Sequence, residues 1–340
     1  MDSKRMKKSG GRWTRRDFLL ASLGAGAAAA GGIYALGRRS RPEGQAAVFV
    51  ARSPGYGPDL ASIVARGFRE LGLGPAEIKG RRILLKPNIV EPRVGAEHIC
   101  THPLVVRATI EAFLGLGAAG VVVAEGSGHC TDVHRALDES GIGRVLVEDR
   151  VPYLDLNQDD LYSLPNLGRR TRLQRLTFPA ALQKADWIVS LPKMKTHHWA
   201  GMTASMKNLF GLMPGSVYGW PKNVLHHAGI IESILDINAT IKPHFAIVDG
   251  VVGMEGDGPI MGRPKPAGVL VMGRNLTAVD ASCARIMGLK PERVAYLKAA
   301  SGWLGPIREE NVSQRGEALE SVRTDFALIE TIPAHRGLRG

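Results

Sequence analysis

The stretch Trp187-Ile188-Val189-Ser190-Leu191, followed by Pro192-Lys193-Met194-Lys195-Thr196-His197-His198, decides how this chain reads. Five residues, apolar but for one serine, have the length and branching of a strand buried on both faces, and the proline ends it. Residues 193–198 are then dense in basic side chains. The same change recurs three times. Ile83-Leu84-Leu85 runs into Lys86-Pro87-Asn88, Val121-Val122-Val123-Ala124 into Glu125-Gly126-Ser127-Gly128, and Phe245-Ala246-Ile247-Val248 into Asp249-Gly250. Further strands are expected at 48–50, 153–156, 269–272 and 326–329. Helical periodicity falls between them at 59–72, 103–116, 132–139, 202–210, 223–241, 277–287 and 292–300. The alternation predicts an α/β fold: a mostly parallel β-sheet flanked by helices. In such sheets ligands bind beyond the carboxyl ends of the strands, so the four polar clusters belong to one cleft if their strands are neighbours.

The 340 residues carry a net charge of +12, but residues 1–41 hold ten of the 44 Lys+Arg and two of the 32 Asp+Glu, leaving +4 for the rest. The near-neutral body, with 6% aromatics and no basic stripe, argues against nucleic acid as a partner. The basic leader contains Thr14-Arg15-Arg16-Asp17-Phe18-Leu19-Leu20 and then an uncharged Ala/Gly/Leu run to Gly37. It resembles a twin-arginine export signal. The resemblance implies the twin-arginine export machinery as partner and an exported protein, periplasmic or anchored facing outward, with membrane contact only through this segment. Cleavage is expected near Ala29. The expected organisation is a leader over 1–37, a linker over 38–46, an α/β domain over 47–311 and a tail over 312–340. Three cysteines (Cys100, Cys130, Cys283) without a C-x-x-C pair give no support for an iron–sulfur cluster in this chain.

The candidate chemistry sits at the strand ends. Lys193, Lys195 and Lys207, with Thr196, Thr203 and Asn208, place three ammonium groups within fifteen residues beside hydroxyl and amide donors. This is the composition of an anion cradle. Met194, Trp199, Met202, Met206, Leu209 and Phe210 interleave, so the segment is half-buried and its lysines need partners, either carboxylates or a bound anion. Lys86, Asn88 and Thr101 join the ligand-binding set. His197 is placed as acid/base or metal ligand. Glu255 and Asp257, on Glu255-Gly256-Asp257-Gly258-Pro259, are an acid pair able to exchange protons or hold a cation. Glu125, Asp249 and Asp257 are the candidate divalent-metal ligands. Two weaker features are His129-Cys130 near Asp132 and His134, and His226-His227, where adjacent helix positions diverge too far to share a site. No Walker A, G-x-S-x-G or H-E-x-x-H pattern occurs in the chain.

With these clusters in view, the chain resembles the "domain of unknown function 362" family. The resemblance is carried by Leu85-Lys86-Pro87-Asn88, Thr101-His102-Pro103, Leu191-Pro192-Lys193-Met194-Lys195-Thr196-His197 and Met206-Lys207-Asn208-Leu209-Phe210-Gly211-Leu212. It continues with Val248-Asp249-Gly250, Met254-Glu255-Gly256-Asp257-Gly258-Pro259 and Val279-Asp280. The stretch from 191 to 212 is the specific one, and the order holds over residues 46 to about 305. Some members of that family are joined to ferredoxin-like modules, for which this chain lacks the cysteines.

The expectation is therefore an exported enzyme acting on a carboxylate or phosphate ligand through a Lys/His/acid cleft, with a divalent metal as an optional cofactor. Lys193, Lys195, His197, Glu255 and Asp257 would be its catalytic groups. The alternatives are a non-catalytic binding protein for an anionic solute or cofactor, and an accessory subunit of an exported redox assembly.

Overall fold

The computed structural model describes residues 44–128 and 132–340. The leader, most of the linker, His129 and Cys130 lie outside the described residues. In chain order the strands are β1 (Ala46–Arg52), β2 (Arg82–Pro87), β3 (Gly120–Glu125), β4 (Tyr153–Asp155), β5 (Leu161–Pro165), β6 (Arg175–Pro179), β7 (Trp187–Leu191), β8 (Lys193–His197), β9 (Gly201–Thr203), β10 (Phe245–Glu255), β11 (Arg263–Gly273) and β12 (Val312–Gly316). Ten of them form one sheet in the order β12-β1-β11-β10-β7-β2-β3-β4, with β8 added to β10 and β9 to β8, while β5 and β6 form a separate antiparallel pair. Within the large sheet only β1–β11, β10–β11 and β8–β9 are antiparallel. The sheet is mixed and mostly parallel, as the alternating pattern requires.

Five helices matter for the site: α1 (Leu60–Glu70), α2 (Pro103–Gly115), α3 (Ser205–Asn208), α4 (Ile230–Ile241) and α5 (Leu276–Ile286). Consecutive strand residues enter opposite cores, as the two-residue period of a strand demands. Leu85, Val123, Val189 and Ile247 pack with α1 and α2, while Leu84, Ala124, Ile188 and Val248 pack with α4 and α5. Both faces are covered, which explains why these strands read as unbroken apolar runs.

Four local expectations are corrected. Residues 193–197 do not leave the sheet. Pro192 ends the pairing with β2, and the backbone then re-pairs with β10 at Lys193↔Asp249 and Lys195↔Met254. Strand β10 runs on through Asp249 to Glu255, with an irregularity between Gly250 and Val252. The helix expected over 202–210 is divided among β9, α3 and a 3₁₀ turn at Leu209–Leu212, because residues 201–203 pair with β8. The helix expected over 223–241 breaks at Gly229, whose φ of 108° suits glycine alone.

The tail over 312–340 is integral to the fold. Val312–Gly316 pairs in parallel with β1, and Phe326 is fully buried. The run at 326–329 supplies packing rather than a strand.

Candidate functional site

The ends of β2, β3 and β8 open on a cavity of about 400 Å³. From the expected set it gathers Lys86, Asn88, Glu125, Lys195, His197, Thr203, Lys207 and Asn208, and it adds Lys222 and His226. Ile89, Val90, Trp199, Phe210, Pro221 and Ile260 form its apolar wall. The convergence follows from strand order. Strand β2 lies between β3 and β7, so residues just past equivalent positions of parallel strands emerge on one edge.

At the floor, Lys86 Nζ lies 2.6 Å from Glu125 Oε2 and also donates to Asn208 Oδ1 at 2.9 Å and to the Pro87 carbonyl at 2.9 Å. Glu125 also accepts from the amides of Ile89 at 3.1 Å and Gly126 at 2.9 Å. Asn208 Nδ2 completes the network by donating to the Lys86 carbonyl and to Ser190 Oγ, both at 3.0 Å. Burial pushes the Lys86 ammonium below its usual range, and Glu125 opposes that shift.

Gly211 is required here. A Cβ on it would lie 1.9 Å from Glu125 Oε1 and 2.4 Å from Lys86 Nζ. Gly211→Ala is therefore expected to displace the pair and destabilise the fold by about 1–3 kcal/mol, as overpacking of a dense interior does. Chemical denaturation checks this, and an unchanged midpoint would contradict the geometry.

Above the floor stand three lysines without a carboxylate ion pair among the described residues. Lys195 is 1% exposed and donates to the Pro259 carbonyl at 3.1 Å. Lys222, also buried, donates to Asn157 Oδ1 at 2.6 Å. Lys207 lies over the Phe210 ring, 3.9 Å from its centroid. Burial, together with the like charge of neighbouring lysines, lowers Lys195 and Lys207 to about 7. Lys222 is lowered to about 8, again chiefly by burial. His197 Nδ1 accepts from the amides of Trp199 at 3.1 Å and Ala200 at 3.3 Å, so in the neutral ring Nε2 carries the proton. Burial and adjacent cations hold that ring well below the usual histidine range. Short α3, which carries Lys207 and Asn208, is held from α5. Asp280 accepts from the Ser205 amide at 2.7 Å, the Met206 amide at 3.1 Å, Tyr296 Oη at 2.9 Å and the Ser205 hydroxyl.

The remaining expected residues do not line the cavity. Lys193 forms a fully buried pair with Asp249 at 2.6 Å, and Tyr56 Oη bridges the two at 2.9 and 3.0 Å. Asp249 Oδ2 also accepts from the His102 amide at 2.9 Å, and the Tyr56 and His102 rings stack at 3.6 Å. This cluster pins β8 to β10 and to the loop after β1. Thr101 Oγ1 accepts from the Asn88 amide and donates to the Leu191 carbonyl, joining the exits of β2 and β7. Thr196 Oγ1 donates to the Gly256 carbonyl at 2.8 Å.

Glu255 is bound to Arg263 at 2.8 Å and to the Ala327 amide at 2.8 Å, while half-exposed Asp257 sits 3.7 Å from His198. Glu255 lies six residues beyond Asp249 along β10, with its carboxylate committed to Arg263 and the Ala327 amide. The expected metal set of Glu125, Asp249 and Asp257 is therefore not assembled. The first two are committed to different lysines, and among the described residues no three His, Cys, Asp or Glu side chains gather in a set that could hold a metal ion.

The sequence pattern does not reveal Lys222 at the cavity or Tyr56 in the Lys193–Asp249 cluster. Lys222 comes directly after the cis Trp220–Pro221 bond in a loop without periodicity, and Tyr56 lies in Gly55-Tyr56-Gly57, which reads as a turn. Of His226 and His227, the first lines the cavity.

Together these features define an α/β protein whose strand ends close on a lysine-lined cavity. The chain belongs to the family described as Domain of unknown function (DUF362), which matches residues 83–285. It is 26% identical over 266 residues to a thylakoid-associated protein of Synechocystis, a match covering 77% of this chain and 80% of that protein. Among solved structures it is similar to a Thermotoga maritima protein, with a TM-score of 0.37 and 17% identity over 66% of this chain and 57% of that one. It is also similar to the lactate racemase apoprotein of Thermoanaerobacterium thermosaccharolyticum, with a TM-score of 0.37 and 12% identity over 63% and 52%. The chain thus spans little more than half the length of these two solved proteins.

Proposed function

We infer that the cavity binds a small anion, a carboxylate or phosphate, and that the protein is an enzyme acting on it with the cavity's own side chains. The observation that carries this reading is the charge imbalance: four lysines line one cavity, and among the described residues only Lys86 is neutralised by a carboxylate. An anion would supply the missing counter-charge, and buried ammonium groups without one are costly. The Asn88 side-chain oxygen, enclosed at the cavity wall without a partner among the described residues, offers an acceptor to a hydroxyl of the ligand and not to its anionic group. The His197 Nε2–H is a donor on the same wall. The apolar side formed by Trp199, Phe210 and Ile260 suits a ligand with a carbon body behind its charged head.

The test is a calorimetric and thermal-shift series with small carboxylates and phosphates at pH 6.5. Lys195→Met is expected to weaken the best ligand by about tenfold to a hundredfold, the loss of one charge-assisted hydrogen bond. Equal binding by the variant and the unaltered protein would overturn the reading. Binding without turnover of any ligand would instead favour a solute-binding protein.

Export by the twin-arginine route belongs to the same proposal. It rests on Arg15-Arg16 and the uncharged run after them. Replacing both arginines by lysine is expected to leave the protein in the cytoplasmic fraction, and undiminished export would remove this part of the reading.

A further inference from the structure

We propose that Lys207 is a nucleophilic amine that condenses with the carbonyl group of an oxo acid held in the cavity. This rests on the anion-site reading and specifies its ligand. Of the four cavity lysines, three are tethered: Lys86 to Glu125, Lys195 to the Pro259 carbonyl and Lys222 to Asn157. Lys207 Nζ, by contrast, has no hydrogen bond or ion pair among the described residues, and lies over the Phe210 ring, a contact that by itself favours the charged amine. It is presented from a turn that Asp280 fixes by three hydrogen bonds to its first two residues. An untethered amine withdrawn from water beside fixed cations is the arrangement that favours the neutral nucleophile, against the opposing pull of the ring. The position of its titration near 7 agrees, with Lys86 and Lys195 contributing after burial.

The tethered cations explain the second half of the ligand. Lys195 presents a positive charge that a carboxylate can take, leaving an adjacent carbonyl carbon for Lys207. In the step, the Nζ lone pair attacks that carbon and the C–O π pair moves to oxygen, which takes up a proton to give a carbinolamine. Loss of the hydroxyl with the remaining amine hydrogen releases one water and leaves a C=N bond. No oxidant or reductant is consumed. His197 Nε2–H is placed on the same wall to donate to the carbonyl oxygen.

The experiment treats the full-length protein with pyruvate or glyoxylate in the presence of cyanoborohydride, which fixes a C=N bond as a secondary amine. Intact mass and peptide mapping then read the product. The expected result is a single carboxyalkyl adduct on Lys207, suppressed by a bound anion without a carbonyl, such as acetate or phosphate. Lys207→Arg should lose the adduct while melting at the temperature of the unaltered protein. Mapping on the unaltered chain decides the matter even if that variant fails to fold. Labelling spread over surface lysines, or confined to Lys195 or Lys222, overturns the proposal. If acetate and phosphate bind but no adduct forms, the amine role fails and the anion site stands. If neither anion nor adduct is detected, both fail.

Discussion

Lys86→Met is expected to destabilise the protein by about 3–5 kcal/mol, the usual cost of removing one partner from a buried ion pair. The ammonium satisfies three acceptors at once, Glu125, Asn208 and the Pro87 carbonyl. Without it, Glu125 keeps only the amides of Ile89 and Gly126 and must stay charged in a dry floor or take up a proton. The loss is therefore dominated by the stranded carboxylate, not by the attraction itself. Replacing both partners, Lys86→Met with Glu125→Leu, should recover a large part of the stability, because an apolar pair of similar volume carries no desolvation penalty. Urea denaturation of the two single variants and the double variant completes the cycle. A single-variant loss below about 1 kcal/mol would mean that the pair is hydrated and the floor open.

The second large effect is on ligand affinity against pH. Lys195 and Lys207 titrate near 7 in the ligand-free protein. A bound anion favours their charged forms and raises both values. Below about pH 7 the amines are already protonated and affinity should be flat. Above it, each lysine must take up a proton as the anion enters, so affinity should fall by about tenfold per pH unit for each lysine engaged. Stability without ligand takes the opposite course. Both groups are lowered from the ordinary 10.5, so the unfolded chain binds more protons across the interval from about 7 to 10.5, and stability rises with pH there. Calorimetry in buffers of different ionisation enthalpy reads the proton uptake directly. An affinity independent of pH between 7 and 9 would show that neither lysine contacts the anion.

Much of this site was legible in the sequence, and the reason is geometrical. A strand buried on both faces must be an unbroken apolar run, so Ile83-Leu84-Leu85 and Trp187–Leu191 announce both their type and the point where polar residues begin. The positions of Lys86, Glu125, Lys195 and Asn208 result from that. The illegible part depends on pairings made far along the chain. Lys193 and Lys195 are two apart, yet one is locked to Asp249 and the other lines the cavity, because β8 joins β10 across an irregular register. A strand ending at Val248 would leave Asp257 free to turn back toward Asp249, whereas β10 continues to Glu255. Lys222 was missed because nothing in its loop repeats, and its place is fixed by the contact with Asn157, 65 residues earlier.

Strand β1 is held between β11 and β12. Of the described strands it is the first to leave the ribosome, and its neighbours begin at Arg263 and Val312. During synthesis it must wait, unpaired, for more than half the chain. Contacts of such sequence separation form slowly. This half of the sheet therefore closes only after translation is nearly finished, and Val48, Phe49 and Val50 spend that interval exposed to whatever chaperone or neighbouring chain can reach them.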